Sequence, residues 1–356
     1  MRFIHCADLH LGSKINLPLE ISRAVKEENF RSFERLCEYA EKSKVTAVII
    51  CGDSFDLDRV STATIRRALF AISKAKDVDF LFLTGNHDRN TLSSSDVNFP
   101  SNLKFFGEEW TKFSYGNVDI HGVSFNGKND AYVYDFINLD QDKINIVAMH
   151  GEVVGYKSNE KAEIISIPRL KNKGIDYLAL GHVHSYVQES LDLRGVYSYS
   201  GCLQGRGFDE LDQKGFVQLE IEDNKVLSKF TPFSLRNFYE HKIDLSNYVD
   251  YFAFREDLKK ELLKCYDKNS LIKVTVEGEM DENFDFDEQG LIDYLSYDFF
   301  YVKIKNKTTL KISLKDYELD KSMKGEFVRT VFNSDLSEED KQAVILLGLK
   351  ALKGEK

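Results

Sequence analysis

Five times in this chain a short apolar run gives way to a cluster of aspartate, asparagine or histidine. Arg2–Ala7 is followed by Asp8-Leu9-His10, Val45–Cys51 by Gly52-Asp53-Ser54-Phe55-Asp56, and Asp79–Thr84 by Gly85-Asn86-His87-Asp88. Ile144–Met149 leads into His150-Gly151, and Ile175–Leu180 into Gly181-His182-Val183-His184. Short apolar runs separated by helical patterns read as buried strands of a layered α/β core. The predicted helices cover 22–43, with Ala24, Val25, Phe33, Leu36, Cys37 and Ala40 on one face, and 64–76. A further run at Val118–Phe125 completes the strand set. Ligand sites in such cores lie outside the carboxyl ends of strands, so five polar clusters at five such ends predict a single convergent site.

A chain of 356 residues exceeds what one hydrophobic core usually organises, so about two domains and an appended module are expected. With 42% hydrophobic and 30% charged residues it is not a disordered chain, and four prolines leave no long Pro-rich linker. Beyond about residue 235 the pattern changes. A charged helix at Leu258–Tyr266, a strand at Ser270–Val276, a helix at Glu288–Tyr297 and a strand at Phe299–Ile304 read as a small α+β domain. Two helical patterns close the chain. The first carries Phe327, Val328, Val331 and Phe332; the second starts at the capping-box-like Ser337-Glu-Glu-Asp340 and carries Val344, Leu347, Ala351 and Leu352. The expected division is 1–238, 239–318 and 319–356.

Acidic residues exceed basic ones, 58 against 48, which argues against holding nucleic acid by overall positive charge. Carboxylates gathered around metal ions would make that formal sum misleading, because the ions add positive charge of their own. No apolar run approaches the roughly 20 residues needed to span a bilayer, and the N-terminus shows no secretory apolar region. The five cysteines form no C-x-x-C pair. Together these predict a cytoplasmic protein without a membrane segment.

The spacing of the clusters suits metal binding. Residues two apart in extended backbone point to the same side, so Asp8 with His10, and His182 with His184, can each aim at one centre. Carboxylate, imidazole and amide oxygen without thiolate suit a hard or borderline divalent ion, Mn²⁺ ahead of Fe or Zn. The ligands outnumber what one tetrahedral ion needs, so two ions bridged by a carboxylate fit better. Singly, each cluster reads as an ordinary turn; the weight lies in all five recurring after predicted strands. His5 and His121 read as strand residues and His241 has no assigned role. Trp110 reads as packing, and Gly201, Gly205 and Gly207 lack the spacing of a dinucleotide fingerprint.

With this order and content the clusters resemble those of the calcineurin-like metallophosphoesterases, and within them the SbcD-type DNA repair exonucleases, particularly the YhaO-like branch. The opening Met1-Arg-Phe-Ile-His-Cys-Ala-Asp-Leu-His-Leu-Gly12 and the later Tyr199-Ser-Gly-Cys-Leu-Gln-Gly-Arg-Gly-Phe-Asp-Glu210, ending near Lys214-Gly215, are similar to that group. The resemblance implies a four-layer α/β/β/α core, a small α+β capping domain and C-terminal helices. It implies two divalent ions: Asp8, His10, Asp53 and His184 around one, Asp53, Asn86, His150 and His182 around the other, with Asp53 bridging. His87 would be the catalytic histidine, oriented by Asp56. Arg59, Arg89 and Arg206 flank these loops and are candidates for substrate phosphates.

The expected function is therefore a Mn²⁺-dependent DNA exo/endonuclease subunit of a double-strand-break repair complex. The chain contains no Walker A sequence. By resemblance its partner is an SMC-like ABC ATPase, SbcC-type or YhaN-like, docked on residues 322–352; homodimerisation is a further expectation from the family. Two other readings stand beside this one. The same centre could act on a phosphoprotein, cyclic nucleotide or small phosphoester, or the chain could be a mainly architectural subunit that tethers DNA or the ATPase.

Overall fold

The computed structural model describes residues 1–55, 60–85, 98–124, 130–154, 163–281, 284–311 and 317–352. They divide into two compact units, Met1–Phe238 and Tyr239–Lys356. In chain order the first unit begins with β1 (Arg2–Cys6), α1 (Leu19–Lys42), β2 (Ala47–Cys51), α2 (Thr62–Lys74), β3 (Asp79–Leu83) and β4 (Leu103–Phe105). It continues with β5 (Thr111–Tyr115), β6 (Val118–Gly122), α3 (Asp130–Asp135), β7 (Ile144–His150), β8 (Glu152–Val153), β9 (Ile164–Ile165), α4 (Ile167–Leu170) and β10 (Tyr177–Gly181). Then come β11 (Val187–Ser190), β12 (Val196–Tyr199), β13 (Gly215–Glu222) and β14 (Lys225–Pro232).

Two six-stranded sheets result, in the orders β14-β13-β1-β2-β3-β4 and β11-β12-β10-β7-β6-β5. In the first, β1 to β4 run parallel and β13 and β14 antiparallel; in the second, β6, β7, β10 and β12 run parallel between antiparallel edges. Period-two alternation accounts for the layers. Ala47, Ile49, Leu81 and Leu83 of the first sheet meet Ile146, Ala148, Tyr177 and Ala179 of the second in one core. Their neighbours Val48, Ile50, Phe80 and Phe82 turn the other way, onto Phe33, Leu36 and Ala40 of α1 and Ile65, Leu69 and Ile72 of α2. Val147, Met149, Leu178 and Leu180 cover the far side with Val133, Tyr134 and Leu170 of α3 and α4. This is a four-layer α/β/β/α core. Strands buried on both faces have no polar face to show, which is why the sequence presents them as unbroken apolar runs.

His5 lies between the sheets. Its Nδ1 meets the Tyr177 hydroxyl at 2.9 Å and its Nε2 the Leu180 carbonyl at 3.1 Å. Trp110 donates to the Val133 carbonyl (3.1 Å) at the edge of the outer core.

Of the strands in these two sheets, β4, β5, β11, β12 and the hairpin β13–β14 are absent from those expected above. The hairpin's two-residue turn, Asp223-Asn224, has φ of 47° and 57°, as the right-handed strand twist requires of a short hairpin loop. α1 also begins earlier than expected, directly after Pro18.

The second unit holds β15 (Phe238–Asp244), α5 (Tyr251–Cys265), β16 (Leu271–Glu277), β17 (Glu279–Met280), α6 (Glu288–Leu295), β18 (Tyr301–Asn306) and β19 (Thr309–Leu310). Helices α7 (Met323–Phe332) and α8 (Glu338–Leu352) follow. β16 and β18 are parallel and joined through α6. Phe254, Leu258 and Leu262 of α5 and Leu291 and Leu295 of α6 fill the core against Ile272, Val274 and Val276. α5 starts seven residues before the expected helix because Asp250 caps it, accepting from the Ala253 N–H at 2.9 Å. Val328 and Val331 of α7 pack with Ile345 and Leu349 of α8, whereas Val344, Leu347 and Leu352 are exposed. Among the described residues no helix is long and apolar enough to cross a membrane.

Candidate metal centre

The polar clusters meet where the two sheets present their strand ends. Asp8 follows β1 and Asp53 follows β2 in one sheet; His150 ends β7 and His182 follows β10 in the other. The sheets are tied across this end. The His182 N–H donates to both Asp8 oxygens, at 2.9 and 3.1 Å, and His150 Nδ1 faces the Cys51 carbonyl at 2.9 Å. His10 N–H donates to the Asp53 carbonyl (2.9 Å), and the buried Asn29 of α1 donates to the Leu9 carbonyl (3.0 Å), pinning the loop after β1.

Among the described residues two groups of three offer ligand atoms within 4.8 Å of one another: Asp8, His10 and His184, and Asp53, His150 and His182. His10 Nε2 lies 3.2 Å from His184 Nε2, and His150 Nε2 lies 3.3 Å from Asp53 Oδ2. Two ligands each about 2.1 Å from one ion at tetrahedral to right angles stand roughly 2.9–3.4 Å apart, so both pairs fit a shared cation. His150 carries its Nδ1 on a backbone carbonyl, which aims Nε2 at Asp53: there it donates when protonated, and it offers a lone pair to a cation that takes the proton's place.

The backbone is forced into place here. Asp8, His10, Asp53 and His182 have φ of 51°, 44°, 50° and 110°, a region that residues with a Cβ enter at a cost. Gly52, at φ 83°, permits the turn into Asp53, and a Cβ on it would sit 2.7 Å from His150 Cγ and 2.9 Å from the Gly85 Cα. A Cβ on Gly85 would stand 2.8 Å from Asp53 Cγ. These two glycines leave space in which carboxylate and imidazole close on one point.

The carboxylates set the charge state of the imidazoles around them. Burial raises the Asp8 pKa, opposed by the nearby histidines. Burial alone would lower His150, but Asp53 beside it and Asp8 beyond raise it to about 9. His184 is likewise pulled down by burial and raised overall, chiefly by Glu210. The donors, four imidazoles and two buried carboxylates, suit divalent ions.

Of the residues singled out in the sequence, Asp8, His10, Asp53, His150, His182 and His184 are brought together. Asp56, Arg59, Asn86, His87 and Arg89 lie outside the described residues. Arg206 differs from its expected role. Its guanidinium is bound to Glu210 through Nε (3.0 Å) and Nη2, with the side chain largely buried, so its charge is committed within the protein rather than to a substrate phosphate. A guanidinium beside a carboxylate four residues on in a tight loop finds that partner first.

Glu210 itself was not singled out. Its Oε1 lies 2.8 Å from His184 Nδ1. The Lys214 ammonium and the Cys202 N–H both donate to the His184 carbonyl, at 3.0 and 3.3 Å. Gln204, in the same loop, accepts from Ser32 (2.9 Å) and from the Leu235 N–H (2.8 Å). The signal that could have found Glu210 is the stretch Tyr199–Glu210, which carries part of the resemblance given above and ends on this carboxylate. Glu152 is a further carboxylate nearby, its Oε2 4.0 Å from His182 Nε2.

The family model for calcineurin-like phosphoesterases matches residues 1–186. The chain is similar to the uncharacterized metallophosphoesterase YhaO of Bacillus subtilis, 26% identical over 249 residues, covering 65% of this chain and 60% of YhaO. It is also similar to the SbcD component of nuclease SbcCD from Staphylococcus epidermidis, 22% identical over 306 residues, covering 76% of this chain and 77% of that protein. Among solved structures, a dimetal phosphatase from Danio rerio aligns with a TM-score of 0.42 at 11% identity, over 65% of this chain and 99% of that one.

Proposed function

The chain belongs to the calcineurin-like phosphoesterase family, and from that premise we propose that it is a metal-dependent DNA nuclease, the hydrolytic subunit of a double-strand-break repair complex. The observation that carries the reading is the pair of adjacent buried ligand groups, each with imidazole and carboxylate aimed at one point. Its extension to DNA is supported by the relative named as part of nuclease SbcCD, whose match covers 76% of this chain, more than the first unit alone.

In this reading Asp8, His10, Asp53 and His184 would hold one ion and Asp53, Asn86, His150 and His182 the other, with Asp53 offered to both. Bound there, a pair of divalent ions, with Mn²⁺ the best match to this oxygen and nitrogen donor set, supplies Lewis acidity toward phosphate oxygens and a more acidic water nucleophile. The protein's own part is positional. The Asp8 carboxylate is fixed by two bonds from the His182 N–H, and the His150 ring by the Cys51 carbonyl, so neither needs to reorganise as charge builds on the phosphate. By the resemblance His87, with Asp56 as its partner, would give a proton to the departing ester oxygen, a task for a group titrating near neutrality.

Exposed Val344, Leu347 and Leu352 on α8 support a docking role for residues 322–352 on the coiled-coil base of an SMC-like ATPase. Deleting them is expected to abolish co-purification of that ATPase while sparing hydrolysis of simple substrates.

The test of the function is cleavage of single-stranded, blunt double-stranded and hairpin DNA with Mn²⁺, beside bis-p-nitrophenyl phosphate, with Asp53→Asn as the blank. DNA degradation that disappears in the blank is the expected outcome. Hydrolysis of the small ester alone, with every DNA left intact even when the ATPase is added, would move the function to another phosphoester.

A further inference from the structure

His184 is held unlike the other histidines of the site. His150 rests its Nδ1 on a backbone carbonyl, a neutral acceptor. His184 presents Nδ1 to a carboxylate, Glu210 Oε1, at 2.8 Å, and that carboxylate is only 3% exposed. Glu210 is fixed in turn by Arg206, through its backbone N–H at 2.8 Å and its guanidinium Nε at 3.0 Å. Arg206 Nη2 also lies 3.4 Å from His184 Nδ1, but two N–H groups cannot bond to each other, and the shorter carboxylate contact sets the ring. With Nδ1–H on Glu210, the Nε2 lone pair faces His10 Nε2 at 3.2 Å. The backbone of His184 is clamped as well, by the buried Lys214 ammonium.

We propose that Glu210 is the positioning residue of the Asp8/His10/His184 group, fixing the tautomer and direction of His184 so that one of the two ions is bound tightly while the other does not depend on it. The proposal rests on the two-ion reading above and deepens it. A carboxylate behind a ligand histidine orients the ring and raises its basicity, and losing such a partner weakens metal binding by roughly 10–100-fold. Glu210 touches neither substrate nor ion; it acts through His184.

The experiment is titration of the metal-free full chain with Mn²⁺ alone, read by calorimetry for stoichiometry and affinity and by electron paramagnetic resonance for coupling between the two ions. Wild type is expected to take two ions. Glu210→Gln keeps the shape but loses the charge: one ion should bind as in wild type and the other about 10–100-fold more weakly, with the coupled signal lost at Mn²⁺ levels that saturate wild type. Arg206→Gln keeps the backbone N–H that holds Glu210 but removes the guanidinium, so it should weaken the same ion by less than Glu210→Gln does. Should Glu210→Gln fail to fold because the Arg206 cation is left buried alone, the double variant Glu210→Gln/Arg206→Gln removes that charge and carries the same expectation. His184→Ala and His184→Ala/Glu210→Gln should bind alike, since the carboxylate acts only through the ring. A folded Glu210→Gln or double variant that binds both ions with wild-type affinity would overturn the proposal, as would equal weakening of both ions. A wild-type chain that binds no Mn²⁺, or an Asp53→Asn chain that binds it unchanged, would instead overturn the two-ion reading and the proposal with it.

Discussion

The two compact units follow different local rules. In Tyr239–Lys356 the helices open on side-chain caps: Asp250 accepts from Ala253 N–H, Asp287 from Gly290 N–H and Ser322 from Gly325 N–H. Its principal core is apolar and aromatic. In Met1–Phe238 the strand ends carry aspartates and histidines at positive φ, nearly wholly buried, in contact with one another. Propensity, capping and patterning agree with the fold in the second unit; at the strand ends of the first they are overridden. Departures from local preference collect where a protein does chemistry, and the stability they cost is made up by the sheets behind them. Changes in the two units should therefore separate: those at the strand ends strike hydrolysis first, those in the second unit strike stability first.

The largest expected effect is from Gly52→Val. A Cβ there overlaps the His150 ring and the Gly85 backbone, and the positive φ resists any β-branched residue. Hydrolysis of bis-p-nitrophenyl phosphate should fall by more than the ~100-fold typical of losing a residue behind a metal ligand. Assay of the purified variant together with circular dichroism checks this, and near-normal turnover would break the contrast at its strongest point. Next is Leu258→Ala. Leu258 is fully buried in the second unit's core, so the cavity should cost about 2–5 kcal/mol. Urea unfolding should show that loss, while turnover below the transition stays within about twofold of wild type. A parallel loss of turnover would mean that the units do not behave separately.

The same contrast explains what the sequence made legible. Asp8, Asp53, His150 and His182 could be placed near one another because each follows a short apolar run bounded by glycine or a polar turn, which reads as a strand buried on both faces, and the ends of such strands gather in the fold. Glu210 could not be, because it meets His184 across 26 residues through a loop, and no periodicity reports a loop's tertiary contact. The β13–β14 hairpin was missed although alternation in Gly215–Glu222 and the Asp223-Asn224 pair both signal it. α5 was placed seven residues late because its aromatic first turn, Tyr251–Phe254, does not look helical until Asp250 is taken as its cap. The strands that end at the site and the two long helices of the first unit were thus open to reading, while its edge strands and the side chains supporting the site needed three dimensions.

A smaller effect separates burial from catalysis inside the first unit. His5, enclosed between the sheets, has its pKa pulled down to about 3 by burial, partly offset by its bond to the Leu180 carbonyl. The unfolded chain therefore binds a proton that the folded one refuses between about pH 6.5 and 3. This histidine leaves stability untouched above pH 6.5 and lowers it by up to about 1.4 kcal/mol for each pH unit below that. Denaturant unfolding of wild type and His5→Gln between pH 7 and 5 checks it: the variant's slope should be shallower by about that amount. Parallel slopes would show that His5 takes up its proton while still folded.

The smallest expected effect tests the rule-keeping unit on its own terms. Asp250→Ala removes the side chain that accepts from the Ala253 N–H, leaving one of the orphan donors at the start of α5 to water. Loss of such a cap costs about 1 kcal/mol, within a range of roughly 0.5–2. Asp250→Asn and Asp250→Ser, which keep an acceptor, should recover most of it. Because α5 lies wholly in Tyr239–Lys356, the change should shift the urea midpoint and leave both Mn²⁺ stoichiometry and ester hydrolysis as in wild type. If the cap variant changed Mn²⁺ binding, the second unit would be acting on the strand ends of the first, and the separation drawn between them would have to be replaced by coupling.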